Sequence, residues 1–390
     1  MERKRYLGQI DDQLRVHPIC GILGPRQVGK TTLAKQYIKK RPPKNLYYFD
    51  LENPIDLARL DNPMLALSGI ENGFIVIDEI QRRPELFPIL RVLVDQEEKK
   101  RKFLILGSAS RELIRQSSET LAGRIGYIEL PPFALFETKD SEKLWLRGGF
   151  PRSYLAKTED DSFLWRQSYI TTFLEKDIPN LGFQIPPQQL RRFWLMLAHY
   201  HGQIFNGSQL GRSLSVSGHT VRNYLDILAG TFMVRVLQPW FENLKKRQVK
   251  SPKIYFRDSG VLHGLLGIKE KSELEHFPKI GSFWEGFALE EIIKAFDASQ
   301  QETYFWATQA NAELDLLMLK HNKKIGFEFK YMDAPKVTKS MRIAQQDLKL
   351  DHLAVIYPGK TSYVLDEEIV AYGLEMIKTG KLSKKVLEAV

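Results

Sequence analysis

Short apolar segments alternate with amphipathic segments over the first 135 residues of this 390-residue chain. Apolar runs of four or five residues bounded by turn residues predict buried strands, and apolar residues three or four positions apart predict helices. This alternation is typical of a parallel sheet with helices on both faces, so we predict an α/β domain. The predicted strands are residues 19–23, 46–50, 74–77, 103–106 and 127–130.

The pattern changes at residues 131–133, two prolines followed by a phenylalanine. Residues 136–184 are predicted to be helical. Residues 185–268 read as a helix, a short helix, a third helix and two strands, which is the order of a winged helix-turn-helix. Residues 269–390 return to an α/β pattern. We therefore predict four domains, of which residues 1–135 form the first.

The turn after the first predicted strand has the complete pattern GxxxxGK[ST]. Its second glycine lets backbone amides approach phosphates and form an anion-binding nest, and the following helix directs its positive N-terminal end at them. Lys30 would reach the β and γ phosphates, and the Thr31 hydroxyl would ligate Mg²⁺. The predicted nucleotide-binding residues are Gly24, Pro25, Arg26, Gln27, Val28, Gly29, Lys30, Thr31 and Thr32. The loop predicts that the chain binds ATP or GTP.

Another predicted strand ends in the carboxylates Asp78 and Glu79. After a phosphate-binding loop, such a pair predicts that Asp78 holds Mg²⁺ through water and that Glu79 polarises the water attacking the γ-phosphorus. The fourth predicted strand leads into Ser108 and Ser110 at the same edge of the sheet, where open α/β sheets bind ligands. Either serine would contact the γ-phosphate, and a helix N-cap is an equal alternative for Ser110.

Composition narrows the class of protein. A hydrophobic share of 43% and an aromatic share of 11% describe an ordinary folded chain. The single cysteine, Cys20, excludes disulfides and cysteine-ligated metals and fits a reducing compartment. No apolar run reaches the ~20 residues of a membrane helix, and no apolar segment follows the basic N-terminus as in a secretory signal. We expect a soluble cytoplasmic protein without a membrane partner.

The formal net charge of +10 favours a polyanionic partner such as DNA. In the predicted winged helix-turn-helix, the third helix would present polar side chains to a major groove, and lysines of the hairpin would contact phosphates. Packing against a neighbouring domain or protein is the alternative. The candidate DNA-binding residues are Ser217, His219, Thr220, Arg222, Asn223, Lys245, Lys246 and Arg247.

A group of charged residues lies on two predicted strands near the C-terminus. Alternate residues of a strand share a face, so Glu328 and Lys330 point the same way, and Asp315 on the adjacent strand can join them. Glu285 could approach from an upstream helix. Three carboxylates and a lysine are what Mg²⁺-dependent phosphodiester cleavage needs, and the spacing resembles the PD-(D/E)XK nuclease fold. Solvent-facing charges and a fold that no longer cleaves are the alternatives.

Together these motifs resemble one family over essentially the whole chain: bacterial and archaeal AAA+-type P-loop ATPases with a C-terminal domain of unknown function. The resemblance rests on the glycine loop, the winged segment, the nuclease-like residues and residues 74–81, 106–110, 121–124 and 148–151. It implies that Ser108 is the γ-phosphate sensor and that Arg124 is an arginine finger or a phosphate sensor. A structural ion pair is the alternative for Arg124.

The same resemblance implies a P-loop parallel-sheet ATPase core at 1–135, a helical lid at 136–184, a winged helix-turn-helix at 185–268 and a PD-(D/E)XK nuclease-like α/β domain at 269–390. We therefore expect a protein that binds and hydrolyses ATP with Mg²⁺ and couples its nucleotide state to DNA binding. An ATPase-controlled, Mg²⁺-dependent DNA nuclease is one alternative. A second is an ATP-regulated protein-interaction switch without nucleic-acid contact. A homo-oligomer or an unidentified protein partner is compatible with each.

Overall fold

The computed structural model describes residues 1–96, 100–108, 120–242, 248–310 and 312–390. The chain divides into two compact units. The first unit comprises residues 1–132 and 230–232, and the second comprises residues 133–229 and 233–390. Within the described ranges, no helix combines the length and the apolar character that crossing a membrane requires.

The first unit is built on a five-stranded parallel sheet in the order β2-β3-β4-β1-β5. Its strands are β1 (Ile19–Gly24), β2 (Leu46–Asp50), β3 (Gly73–Asp78), β4 (Arg101–Ser108) and β5 (Ile125–Glu129). The predicted parallel α/β sheet is therefore confirmed. Because all five strands run the same way, β1 and β3 both end at one edge of the sheet, on either side of β4.

Helices cover both faces of this sheet because its strands are apolar on both sides. Ile19 of β1 contributes to one hydrophobic cluster, whereas its neighbour Cys20 contributes to the other. The same alternation occurs at Ile75 and Val76 of β3. The helices are Lys4–Val16, Lys30–Lys40, Pro54–Arg59, Pro63–Ser68 and Leu86–Val94, with a 3₁₀ turn at Ile80–Arg82. Two packed faces make the strands between them a rigid base for the loops at the sheet edge.

The second unit contains a mixed sheet of nine strands in the order β13-β14-β12-β11-β10-β9-β7-β8-β6. Its strands are β6 (Gln203–Ile204), β7 (Val234–Pro239), β8 (Lys253–Phe256), β9 (Thr303–Ala307), β10 (Glu313–Lys320), β11 (Lys323–Phe329), β12 (His352–Tyr357), β13 (Ser362–Asp366) and β14 (Ile369–Gly373). Strands β10 and β11, which carry Asp315 and Glu328, pair as an antiparallel hairpin. The register of β10 shifts between Leu314 and Leu317, so Asp315 lies at an irregularity of the strand.

Twelve α-helices are described between residues 133 and 390. They are Ser141–Arg147, Pro151–Tyr154, Glu159–Thr172, Ile178–Asn180, Pro187–His199, Gly207–Leu214, Gly218–Gly230, Ser259–Leu265, Lys271–Glu275, Ile280–Phe296, Lys339–Leu348 and Lys381–Glu388. A π-helical turn lies at Phe173–Asp177, and 3₁₀ turns lie at Gln300–Glu302 and Leu374–Thr379. The helix, short helix, helix and two strands of residues 187–256 follow the predicted order. Their assignment as a winged helix-turn-helix stays a prediction.

The predicted division of the C-terminal two thirds into three domains stays a prediction. Segments 136–184, 185–268 and 269–390 were expected as three domains, but they belong to one compact unit. Strand β7 pairs with β9 in parallel, and a single hydrophobic cluster extends from Phe133 to Val386. The helices of 136–184 contribute residues to that cluster, and their assignment as a lid stays a prediction. Local sequence patterns mark elements, whereas strand pairing between distant segments leaves no local signal.

Candidate nucleotide-binding site

The glycine loop joins β1 to helix Lys30–Lys40. At both of its glycines, the backbone geometry requires a residue without a side chain. At Gly24, a Cβ atom would lie 2.4 Å from the carbonyl oxygen of Leu130, so only glycine permits this close approach. At Gly29, the residue that caps the helix, φ is +98°, a conformation that residues with a side chain rarely adopt. The pattern GxxxxGK[ST] thus specifies the backbone path of the loop as well as its chemistry.

The Lys30 side chain lies beneath the loop. It is 5% exposed, and its ammonium group donates hydrogen bonds to the carbonyl oxygens of Gly24 at 3.0 Å and Pro25 at 3.1 Å. Arg26 is directed away from it and donates to Glu52 at 3.1 Å. A buried ammonium group held by the backbone of a glycine loop places a positive charge where phosphate groups would sit.

Asp78 connects the loop to the end of β3. Its Oδ2 accepts hydrogen bonds from the hydroxyl of Thr31 at 2.7 Å and from the hydroxyl of Tyr48 at 2.9 Å. Its Oδ1 accepts from the backbone amide of Glu79 at 3.0 Å. Asp78 is 3% exposed, so these three donors hold the carboxylate in place. The two predicted Mg²⁺ ligands, 47 residues apart in the chain, are in direct contact.

These donors fit a magnesium ion. Mg²⁺ prefers oxygen ligands, and in nucleotide sites it takes one or two from the protein and the rest from water and phosphates. The hydroxyl of Thr31 and the carboxylate of Asp78 supply that small set. Among the described residues, no group of three or more His, Cys, Asp and Glu side chains forms a metal site of its own. The site would therefore hold the metal together with the nucleotide.

Glu79 follows Asp78 in a left-handed backbone conformation, with φ at +56°. This conformation is uncommon for a residue with a side chain, and it turns the chain sharply at the end of β3. The Gln81 amide donates a hydrogen bond to the Glu79 carboxylate. Burial raises the pKa of Glu79, against a lowering influence from the nearby Lys30 ammonium. Glu79, directly after Asp78 in the chain, is therefore a carboxylate with an increased tendency to accept a proton.

Residues 16–139 match the family described as "AAA domain". Residues 138–272 and 280–377 match two families that are each described as a domain of unknown function. The chain is 47% identical over 381 residues to "Uncharacterized protein Rv2008c" of Mycobacterium tuberculosis and to "Uncharacterized protein Mb2031c" of Mycobacterium bovis. Each alignment covers 97% of this chain and 85% of the relative.

The chain belongs to the family of these mycobacterial proteins. The structure is also similar to that of the Walker-type ATPase paby2304 of Pyrococcus abyssi, with a TM-score of 0.50 and 13% sequence identity, over 68% of this chain and 95% of that one. At this identity the likeness concerns the fold. The glycine loop, the parallel sheet and the family match together make the first unit a P-loop ATPase domain of the AAA type.

Ser108 is the last residue of β4, beside the loop of the ATPase domain. Its register partner on β1 is Gly24. The Ser108 hydroxyl is buried and makes no hydrogen bond to any residue in the part of the chain that the structure describes. A buried hydroxyl without a partner is uncommon, and the assignment of Ser108 as the γ-phosphate sensor stays a prediction. The alternative candidate, Ser110, lies outside the described residues.

Arg124 is not brought to this site within one chain. Its carbonyl oxygen accepts from the amide of Ile19, the first residue of β1, whereas the glycine loop follows the last residue of β1. A strand of this length separates the two edges by about 16 Å or more. The guanidinium group instead binds both carboxylate oxygens of Asp95, at 2.6 and 3.0 Å. The structure therefore shows the ion pair, and the role of Arg124 as an arginine finger or a phosphate sensor stays a prediction.

Two further side chains contact the carboxylates of the nucleotide site. Tyr48 comes from β2, at the edge of the sheet, and Gln81 from the turn after Glu79. Neither belongs to the glycine loop or to the carboxylate pair: the sequence analysis missed Tyr48, and it included Gln81 only within residues 74–81, without a role. The available signal is positional: β2 pairs with β3 in parallel, and Asp50 of β2 is the register partner of Asp78.

The structure brings together the four residues of the predicted nuclease site in the second unit. The Lys330 ammonium lies 2.7 Å from Glu328 and 4.0 Å from Asp315. Glu285 is connected to Asp315 through Lys253, a residue that the sequence analysis missed. The Lys253 ammonium lies 3.6 Å from Glu285 and 3.8 Å from Asp315.

Burial has the largest effect on the pKa values of two carboxyl groups in this second cluster. Burial, followed by the charge of Asp315, raises the pKa of Glu285 to about 7 and the pKa of Glu328 to about 8. The pKa of Lys253 is raised well above its ordinary value, because neighbouring acidic groups outweigh the opposing effect of burial. Glu285, a carboxylate with a raised pKa, therefore lies beside an ammonium group that keeps its proton.

The predicted DNA-binding residues of helix Gly218–Gly230 lie at its N-terminal part. His219, Arg222 and Asn223 are exposed, and Thr220 is half-buried. Ser217 accepts a hydrogen bond from the amide of Thr220 at 3.0 Å, which is the geometry of an N-cap. The remaining candidates, Lys245, Lys246 and Arg247, lie outside the described residues.

Replacing Tyr48 with Phe should weaken the contact between β2 and Asp78. The change removes one hydroxyl donor to a buried carboxylate, so we expect the free energy of unfolding to fall by about 2 kcal/mol. Urea unfolding measures this change. Tyr47→Phe, one residue earlier on the same strand, is the matched control and should alter the free energy of unfolding by less than about 0.5 kcal/mol. Equal losses in both variants would contradict the role of the Tyr48 hydroxyl.

Proposed function

We propose that the protein binds ATP with Mg²⁺ at the glycine loop and hydrolyses it. The observation that carries this proposal is the 2.7 Å hydrogen bond between the Thr31 hydroxyl and the Asp78 carboxylate. It joins the phosphate-binding loop to the strand that ends at Glu79, so the two halves of a nucleotide hydrolase site meet in one place. The family match of residues 16–139 supports the same conclusion.

Each side chain has a defined task in this proposal. Lys30 contacts the β and γ phosphates, and Thr31 and Asp78 hold the Mg²⁺, which neutralises charge on the phosphates. Glu79 accepts a proton from the attacking water, and its raised pKa favours that step. The Ser108 hydroxyl, buried beside the loop, donates to the γ-phosphate.

We further propose that the nucleotide state controls DNA binding by the second unit. The exposed side chains of His219, Arg222 and Asn223 can donate hydrogen bonds to bases or phosphates. A cleft beside this helix is also lined by Lys250, and the chain carries a formal net charge of +10. A nucleotide shifts DNA affinity only if it binds the DNA-bound and free states differently, which contacts at the γ-phosphate can provide.

Two substitutions separate nucleotide binding from hydrolysis. Lys30→Ala should abolish ATP binding, since it removes the ammonium group that would contact the β and γ phosphates. Glu79→Gln should retain binding and lower the turnover number by about 10²-fold or more, because an amide cannot accept the proton. Binding is measured with a fluorescent ATP analogue and turnover by phosphate release.

Lys35→Ala is the matched control, because Lys35 is an exposed lysine of the same helix. It should bind and hydrolyse ATP as the wild type does. Unchanged hydrolysis by Lys30→Ala would rule out this loop as the ATP site. Unchanged hydrolysis by Glu79→Gln would rule out Glu79 as the base.

DNA binding should depend steeply on salt. Replacing Lys245, Lys246 and Arg247 with Gln should reduce the slope of log affinity against log salt by about 2 to 3, as expected when three phosphate contacts are lost. Fluorescence anisotropy with a labelled DNA duplex, in ATP and in ADP, measures both the slope and the nucleotide effect.

Replacement of three exposed lysines of helix Lys381–Glu388 by Gln is the charge-matched control, and it should leave the slope unchanged. These lysines are Lys381, Lys384 and Lys385. Wild-type protein that shows no salt-sensitive DNA binding in either nucleotide would contradict this half of the proposal. That result would favour the protein-interaction switch.

A further inference from the structure

The acidic cluster of the second unit contains an ammonium group at its centre. Lys253 of β8 is almost completely buried, with an exposed fraction of 3%. Its Nζ lies 3.6 Å from Glu285, on helix Ile280–Phe296, and 3.8 Å from Asp315, on β10. It also forms an ion pair with Glu313 of the same strand. One lysine thus connects three carboxylates that come from two different elements.

Each of the carboxylates Asp315, Glu285 and Glu328 also accepts a hydrogen bond from another group of the protein. The Oδ2 atom of Asp315 accepts from the backbone amide of Phe329 at 3.0 Å. The Oε1 atom of Glu285 accepts from the hydroxyl of Tyr255 at 2.6 Å. Glu328 is paired with the Lys330 ammonium at 2.7 Å. The carboxylates are therefore arranged around donors from the protein.

This donor set does not fit a divalent metal ion. Mg²⁺ needs near-octahedral oxygen ligands at about 2.1 Å, so its ligating carboxylate oxygens must converge on one point. In the described part of the chain no three acidic side chains converge in that way. A divalent cation about 4 Å from the Lys253 ammonium would also lose on the order of 30-fold in affinity from charge repulsion, even at the dielectric constant of water.

We infer that the Lys253 ammonium is the resident cation of this cluster and takes the place that Mg²⁺ has in a metal-dependent nuclease. The second unit then keeps the carboxylates at the positions that suggested a nuclease but uses them to bind a lysine. Cleavage of phosphodiester bonds by a metal bound at Glu285, Asp315 and Glu328 is not available to this chain. This inference does not depend on ATP hydrolysis by the first unit.

The cluster can be tested by divalent-ion binding to the full chain without nucleotide. Isothermal titration with MnCl₂, repeated with MgCl₂, is compared among the wild type, Asp315→Asn, Lys253→Met and the double variant Lys253→Met/Asp315→Asn. The glycine-loop site contributes equally to all four proteins, so differences that depend on Asp315 report on this cluster alone. Circular dichroism checks that each variant is folded.

We expect the wild type and Asp315→Asn to give the same titration. Lys253→Met should gain a binding site for Mn²⁺ that is at least about tenfold weaker or absent in the double variant, because removal of the ammonium leaves the carboxylates without their cation. If Lys253→Met does not fold, the charge-balanced variant Lys253→Met/Glu285→Gln takes its place, with Asp315→Asn added to it as the partner variant.

Two results would overturn the inference. The first is divalent-ion binding by the wild type that Asp315→Asn abolishes, since the cluster would then hold a metal in the presence of Lys253. The second is a folded Lys253→Met, or the folded charge-balanced variant, that gains no Asp315-dependent site. The ammonium would then not occupy the position of a cation.

Discussion

The nucleotide site depends on the hydrogen bond between the Thr31 hydroxyl and the Asp78 carboxylate. Two residues 47 positions apart meet at 2.7 Å because β1 and β3 end at the same edge of a parallel sheet with β4 between them. The sheet can supply this precision because both of its faces are packed, which leaves little freedom for a strand to shift. The close approach of Gly24 to Leu130 then determines the direction in which the loop leaves β1.

The charged cluster of the second unit depends in a similar way on the buried ammonium group of Lys253. Lys253, whose own side chain is buried, holds helix Ile280–Phe296 and β10 to β8 through ion pairs with Glu285, Glu313 and Asp315. A charge buried at this depth is tolerated only when its partners surround it, and removing either side would leave uncompensated charge inside the protein. The cluster therefore fixes the relative positions of elements from the two segments that the sequence suggested were separate domains.

The sequence predicted those parts of the molecule in which a local pattern is compatible with only one local structure. The glycine loop between a buried strand and a helix, and the strand ending in Asp78 and Glu79, belong to this class. Arg124 does not, because a short motif does not indicate at which edge of the sheet an arginine lies. Tyr48 and Lys253 could not be found at all, since each acts through tertiary contacts with residues distant in the chain.

The two charged sites show why residue type alone does not determine chemistry. Each combines lysine and carboxylate side chains, and each resembled a Mg²⁺ site in the sequence. At the nucleotide site the Lys30 ammonium is bound by backbone carbonyl oxygens. The carboxylate of Asp78 accepts from hydroxyl and amide donors that are compatible with a metal. In the second unit the carboxylates bind the ammonium group directly. The position of the lysine, which only the fold determines, decides whether a carboxylate is available to a metal ion.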